Sequence, residues 1–176
     1  RRMWAGGEID FAAAPRIGET VTRRSVIEDV TAKQGRSGAL CFVTVRHHYT
    51  AGDRLLLTER QDIVYRQAAQ PGAPLPSPPP AESGAYRRSL TAGPALLFRY
   101  SALTFNGHRI HYDLPYTTET EGYPGLMVHG PMQASLLAQM AEDQRGAPPR
   151  TFRFRSLSPL FDRDPVTLNA CDDGAG

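Results

Sequence analysis

Residues 130–146 read GPMQASLLAQMAEDQRG, and the rest of the chain has to be arranged around this segment. Pro131 suits the first turn of a helix, and Gly146 suits its C-terminal cap. Met132, Leu136, Leu137 and Met140 recur at helical spacing, which predicts one apolar stripe and a core-facing helix. Beyond it, RTFRFRSLSPLF (150–161) alternates Phe152 and Phe154 with Arg153 and Arg155, the pattern of a half-buried strand. PVTLNAC (165–171) reads as another strand, followed by DDGAG, a hairpin signal without a returning strand. Just upstream, PALLFRYSAL (94–103) reads as a short strand.

Residues 70–84, QPGAPLPSPPPAESG, break the chain, because this proline density forbids both helix and sheet interior. The segment is read as a linker between residues 1–69 and 85–176. The first part is β in character. Thr20–Val30, Ala39–Tyr49 and Leu55–Arg66 are rich in Val, Ile, Thr, Leu and aromatics. The turn signals KQGRSG (33–38) and TAGD (50–53) lie between them, so an antiparallel meander is the economical topology. His47 and His48 point to opposite faces by the period of two and are read as strand-end surface residues. No amphipathic helix precedes residue 70, so the apolar face of this sheet needs a cover from elsewhere. The first residues enter structure without an initiating methionine, and together with the ending this leads us to expect a fragment truncated at both ends.

Composition narrows the function classes. Lys+Arg 20 against Asp+Glu 18 gives a net charge of +2, which offers no basic excess for nucleic acid. Lys33 is the only lysine, and arginine forks suit phosphates and carboxylates. Cys41 and Cys171 lie far apart and outside any CxxC pattern, which argues against a disulfide framework or zinc ribbon and for a reducing, cytoplasmic setting. No apolar run approaches the roughly 18 residues of a membrane span. RRMWAGGEIDF at the start lacks the apolar core of a signal peptide.

Between the linker and the helix lies ALTFNGHRIHYD (102–113). His108, His111 and Asp113 are metal-ligand types, but neither helical nor strand spacing brings all three together, and no HExxH supports them. Acid–base chemistry fits better. A histidine accepts and returns protons near its ordinary pKa of about 6.5, whereas Asn106 can position a water or carbonyl but cannot take a proton. The helix opening at VHGP adds donors: free N–H groups, a positive dipole end, and close approach at Gly130. Such a donor site is typically worth about 10²–10³ in rate. Taken together, a histidine base and helix-terminus donors suit chemistry alpha to a thioester carbonyl. Each feature also has a purely structural reading, as a hydrogen-bonding histidine or an ordinary helix start, and the residues alone leave both open.

FRYSALTFNGHRIHYDLPY (98–116) followed by EGYPGLMVHGPMQASLL (121–137) resembles the MaoC-like hot-dog hydratases and dehydratases. The branch it is most similar to is hydroxyacyl-thioester dehydratase type 2, which includes the mesaconyl-C4-CoA hydratases. The family motif is an aspartate, an asparagine–proline pair and a histidine. Counting back from His111, the aspartate position holds Asn106, the asparagine position His108 and the proline position Arg109, while His111 and Asp113 match. The branch pattern resembles FNxHRIHYD, so Asn106 fits the branch but removes one of the two acid–base groups.

The resemblance implies an α+β hot-dog fold, an antiparallel sheet wrapped around a central helix. It implies a double hot dog with residues 1–69 as an incomplete, degenerate first repeat, whose helix would precede Arg1, and residues 85–176 as the second. It further implies a hydro-lyase interconverting a 2-enoyl and a 3-hydroxyacyl thioester, carried on CoA or a carrier protein, with mesaconyl-C4-CoA as one such substrate. His111 is then the proton-transfer group, Asn106 the water holder and Gly130 the donor to the thioester oxygen. Arg109, His129 and Tyr123 are substrate-binding candidates, with an Arg109–Asp113 surface pair and a packing Tyr123 as the alternatives. No cofactor and no metal are implied. The partners expected are the thioester, no nucleic acid, no membrane, and a second copy of the full-length chain in a homodimer. The rival readings are a non-catalytic hot-dog binding or assembly subunit, since position 106 is not acidic, and a metal hydrolase.

Overall fold

A computed structural model describes residues 2–35, 38–67 and 81–172. The chain forms two units: residues 1–70 with 149–156, and residues 71–148 with 157–176. Most of the proline-rich stretch, up to residue 80, lies outside the described residues, as do residues 36–37 of the first turn and 173–176 of the ending.

The first unit is an antiparallel sheet. Its strands are β1 (Arg2–Phe11), β2 (Thr22–Gly35), β3 (Gly38–Ala51) and β4 (Arg54–Arg66), joined by a strand from beyond the linker, β6 (Thr151–Arg155). The order is β2-β3-β4-β1-β6. The three strands expected from β propensity are β2, β3 and β4, and they form the expected meander. No helix occurs among the described residues of this unit. β1 is not apparent from its own residues, because its Gly-Gly pair interrupts the strand pattern. Those glycines are required by packing: a Cβ on Gly6 would lie 2.7 Å from the Phe154 carbonyl oxygen, and one on Gly7 2.5 Å from that of Arg60. β6 alternates as predicted, with Phe152 and Phe154 half-buried, and Trp4 packs edge-on against Phe154 at 4.7 Å. The surface reading of His47 needs correction. β3 runs past it to Ala51, and His47 is 8% exposed with its ring Nδ1 2.7 Å from Ser25 Oγ on β2. The hydroxyl partner satisfies a polar ring that the sheet encloses.

The second unit holds β5 (Tyr86–Thr91) paired with β7 (Pro165–Ala170) and, among its described residues, two α-helices, α1 (Pro94–Leu103) and α2 (Gly130–Arg145). α2 is the predicted helix, with Pro131 in its first turn and Gly146 closing it at φ 70°, the left-handed conformation that favours glycine. Met132 and Met140 are buried and Leu136 packs against the same core, but Leu137 is 38% exposed. The stripe is thus narrower than predicted, following the four-residue row 132–136–140 and leaving Leu137 beside it. PALLFRYSAL is not a strand but α1. Gly93 and Pro94 start it as Gly130 and Pro131 start α2, and buried Leu97 and Ser101 lie one turn apart. Ala92, Leu97, Val128, Met132, Val166 and Leu168 belong to one core cluster.

Candidate active site

The loop after α1 is held by its own backbone. The Asn106 N–H donates to the Ser101 carbonyl at 2.9 Å, and Asn106 Oδ1 accepts from the His108 N–H at 3.1 Å. Phe105 sits between them at φ 52°, a left-handed conformation that costs a bulky side chain energy. A 3-10 turn over Arg109–His111 follows, and it is the irregular turn that brings His108 and His111 together, their rings edge to face with centroids 5.5 Å apart.

His111 is 7% exposed and faces the strand-like segment 126–128. That segment is clamped on both sides: the Met127 N–H donates to the Ile110 carbonyl, and the Val128 N–H to that of Leu160. Gly125 precedes it with no room for a Cβ, which would lie 2.5 Å from Asp162 Oδ1, itself the acceptor for the Leu126 N–H. The Met127 carbonyl lies 2.7 Å from His111 Nδ1. A carbonyl only accepts, so Nδ1 carries the hydrogen and Nε2 carries the lone pair. Burial is the main cause that lowers the His111 pKa, with the His108 charge acting the same way and the Met127 bond opposing it.

His129, immediately before α2, is fully buried and stacks on His111 with centroids 3.7 Å apart and planes 16° from parallel. Its Nε2 is 2.8 Å from Ser101 Oγ on α1. Burial, then the neighbouring His111 and His108, push its pKa down to about 4. Gly130 and Met132 stand in the first turn of α2, whose N–H groups have no partner within the helix. Arg109 pairs with Asp113 Oδ2 through Nε at 2.9 Å and Nη2 at 2.7 Å, and its guanidinium lies over the Tyr116 ring at 4.0 Å. Tyr123 packs toward Phe161 at 6.0 Å. Asn106, Ser101, Phe98 and Phe105 line one open groove.

The structure therefore gathers His108, His111, His129 and Gly130 around the start of α2 and sets Asn106 beside Ser101. Arg109 and Tyr123 are engaged with Asp113 and Phe161. Two members of the site were missed from the sequence, Ser101 and the Met127 carbonyl. The helical spacing of α1 is the signal for Ser101, which follows Leu97 by four residues on the same buried face. A backbone carbonyl leaves no trace in residue identity. Among the described residues no group of three or more His, Cys, Asp or Glu is arranged to hold a metal ion, and no helix is long and apolar enough to cross a membrane.

Comparison with known proteins shows the family and the fold. Residues 1–162 match the family model for hydroxyacyl-thioester dehydratase type 2. The chain is 49% identical over 178 residues to mesaconyl-C(4)-CoA hydratase from Chloroflexus aurantiacus, covering 99% of this chain and 62% of that protein. It is 39% identical over 90 residues to the mitochondrial hydroxyacyl-thioester dehydratase type 2 of Schizosaccharomyces pombe, covering 48% of this chain and 29% of that one. The chain thus spans less than two thirds of the length of either relative. Its fold is shared with a MaoC-like dehydratase from Phytophthora capsici, with a TM-score of 0.76 at 14% identity over 99% of this chain and 63% of that one. HtdX from Mycobacterium tuberculosis matches with a TM-score of 0.72 at 21% identity over 98% of this chain and 68% of that one. The α+β, MaoC-like hot-dog fold expected from the sequence is the one found.

Proposed function

The chain belongs to the hydroxyacyl-thioester dehydratase type 2 family, and from that premise we propose that it is a hydro-lyase interconverting a 2-enoyl and a 3-hydroxyacyl thioester. The substrate we assign is a CoA ester such as mesaconyl-C4-CoA, supported by the 49% identity to the hydratase that carries that name. The observation that carries the reading is the His111 bond to the Met127 carbonyl, which leaves Nε2 as a proton acceptor inside a buried site.

In the hydration direction Asn106 holds the water and His111 Nε2 takes one of its protons as the oxygen bonds to C3. The electron pair of the C2–C3 double bond moves toward the thioester, and the Gly130 amide donates to the oxygen on which charge develops. His111 then returns its proton to C2, and the thioester carbonyl re-forms. Dehydration is the reverse. Arg109 spends two of its five N–H donors on Asp113, and the remaining ones are those we assign to a second substrate carboxylate. Tyr123 lines the acyl site in this reading.

We further propose that residues 1–69 belong to a degenerate hot-dog repeat and residues 85–176 to a second, with β6 of the latter pairing into the sheet of the first unit. The absence of a helix among the described residues of the first unit supports this division. The intact protein is assigned a cytoplasmic location, supported by two free cysteines, and a homodimeric state, supported by the family resemblance alone.

Hydration of crotonyl-CoA and mesaconyl-C4-CoA by the intact protein tests the activity. Turnover that is abolished in His111→Ala is the expected result. A protein that binds enoyl thioesters without turning any over is instead a binding subunit, as a non-acidic residue at position 106 would favour. Chelator-sensitive activity with stoichiometric metal would replace the proposal with a metal enzyme.

A further inference from the structure

Among the described residues one hydrogen bond holds His111 in its own plane, from Nδ1 to the Met127 carbonyl. A ring held at one nitrogen still tilts about that bond, and tilting swings the Nε2 lone pair away from a water. The face of His129, 3.7 Å away and nearly parallel, removes that freedom. His129 needs fixing in turn, and α1 supplies it from consecutive residues. Tyr100 packs on the ring at 4.8 Å, and Ser101 Oγ reaches Nε2 at 2.8 Å. The Ser101 backbone carbonyl meanwhile accepts the Asn106 N–H. One residue thus joins the loop of the proposed water holder to the ring behind the proposed base.

The tautomer follows from satisfaction of polar groups. His129 Nδ1 is buried with no hydrogen-bond partner among the described residues. Placing the hydrogen there would bury a donor without an acceptor, whereas a bare lone pair is the lesser cost. Nε2–H therefore donates to Ser101 Oγ. Resting on the hydratase reading above, we infer that Ser101 is a positioning residue. Its hydroxyl fixes the His129 ring, and that ring fixes the plane of His111. Because burial keeps His129 neutral, a proton arriving on His111 meets no second positive charge across the stack.

A double-mutant cycle in the intact protein tests this, with kcat and KM for crotonyl-CoA and the ring-nitrogen NMR signals of His129 as readouts. Ser101→Ala lowers kcat by about 10²-fold, the cost of a misplaced reacting group, with little change in KM. In the same variant His129 passes from one Nε2–H tautomer to a mixture. His129→Phe keeps a stacking face but leaves nothing for the hydroxyl to hold, and in that background Ser101→Ala has no further effect. Ser101→Cys, of nearly the same size, gives the same losses if the alanine variant does not fold. Wild-type kcat in a folded Ser101 variant, an unchanged His129 tautomer, or multiplicative losses in the double mutant would each overturn the assignment. A wild-type protein without turnover on any enoyl thioester defeats the hydratase reading itself, a result separate from active wild type with silent Ser101 variants.

Discussion

Burial of His111 sets the pH range in which the site can work. The ring loses hydration on being enclosed, so its charged form is disfavoured and its pKa falls below the ordinary 6.5. The proposed hydration needs the neutral ring, since in that reading Nε2 accepts a proton. The neutral form therefore persists to lower pH than in an exposed histidine, and activity is lost as pH falls through the lowered value. The acid limb of kcat/KM for hydration is expected to have its midpoint below pH 6.5, and a midpoint at or above it contradicts the assignment of His111 as the base. Asp113 does not interfere, because the Tyr116 N–H and the Arg109 guanidinium hold its carboxyl below the usual carboxylate range. His111, the residue proposed to transfer the proton, was singled out by its motif. That His129 stacks on it was not legible, because the two lie eighteen positions apart and only the clamped segment 126–128 brings them face to face.

α1 shows why short apolar runs mislead at the level of elements. Leu96, Leu97 and Phe98 are contiguous, which fits a strand as well as a helix. In the structure Leu97 is fully buried while Phe98 is 62% and Leu103 81% exposed, a one-sided helical pattern. Leu97→Ala is expected to destabilise the second unit by about 2–5 kcal/mol through the cavity it leaves. Because Leu97 lies one turn before Ser101, activity should fall with it. Chemical denaturation paired with the hydration assay checks both, and unchanged stability would mean that α1 is not anchored there. α2 needed no such correction, since proline at one end and glycine at the other bound a long periodic segment.

For the whole molecule the informative connection is β6, which follows α2 in sequence but pairs with β1 near the chain start. Phe152 and Phe154 announce a strand, yet nothing local tells which strand receives it. The receiving strand is marked by Gly6 and Gly7, residues that locally suggest a turn and here permit backbones on both sides to close in. Gly7→Ala should destabilise the first unit by about 1–3 kcal/mol, because its Cβ meets the Arg60 carbonyl, an atom of the backbone. Trp4 fluorescence during denaturation reads this directly through its contact with Phe154. By itself the sequence determined the meander β2–β4, the helix α2, the strands after it and the family motif, and it singled out the histidine to which we assign proton transfer. All of these rest on periodicity, capping residues or a contiguous motif, which are local. Only the tertiary structure decided that residues 94–103 are helical, that His47 is enclosed, that β6 joins β1, and that Ser101 reaches His129 behind His111. Those depend on which surfaces and polar atoms meet across long stretches of chain, where burial and hydrogen-bond satisfaction override local preference.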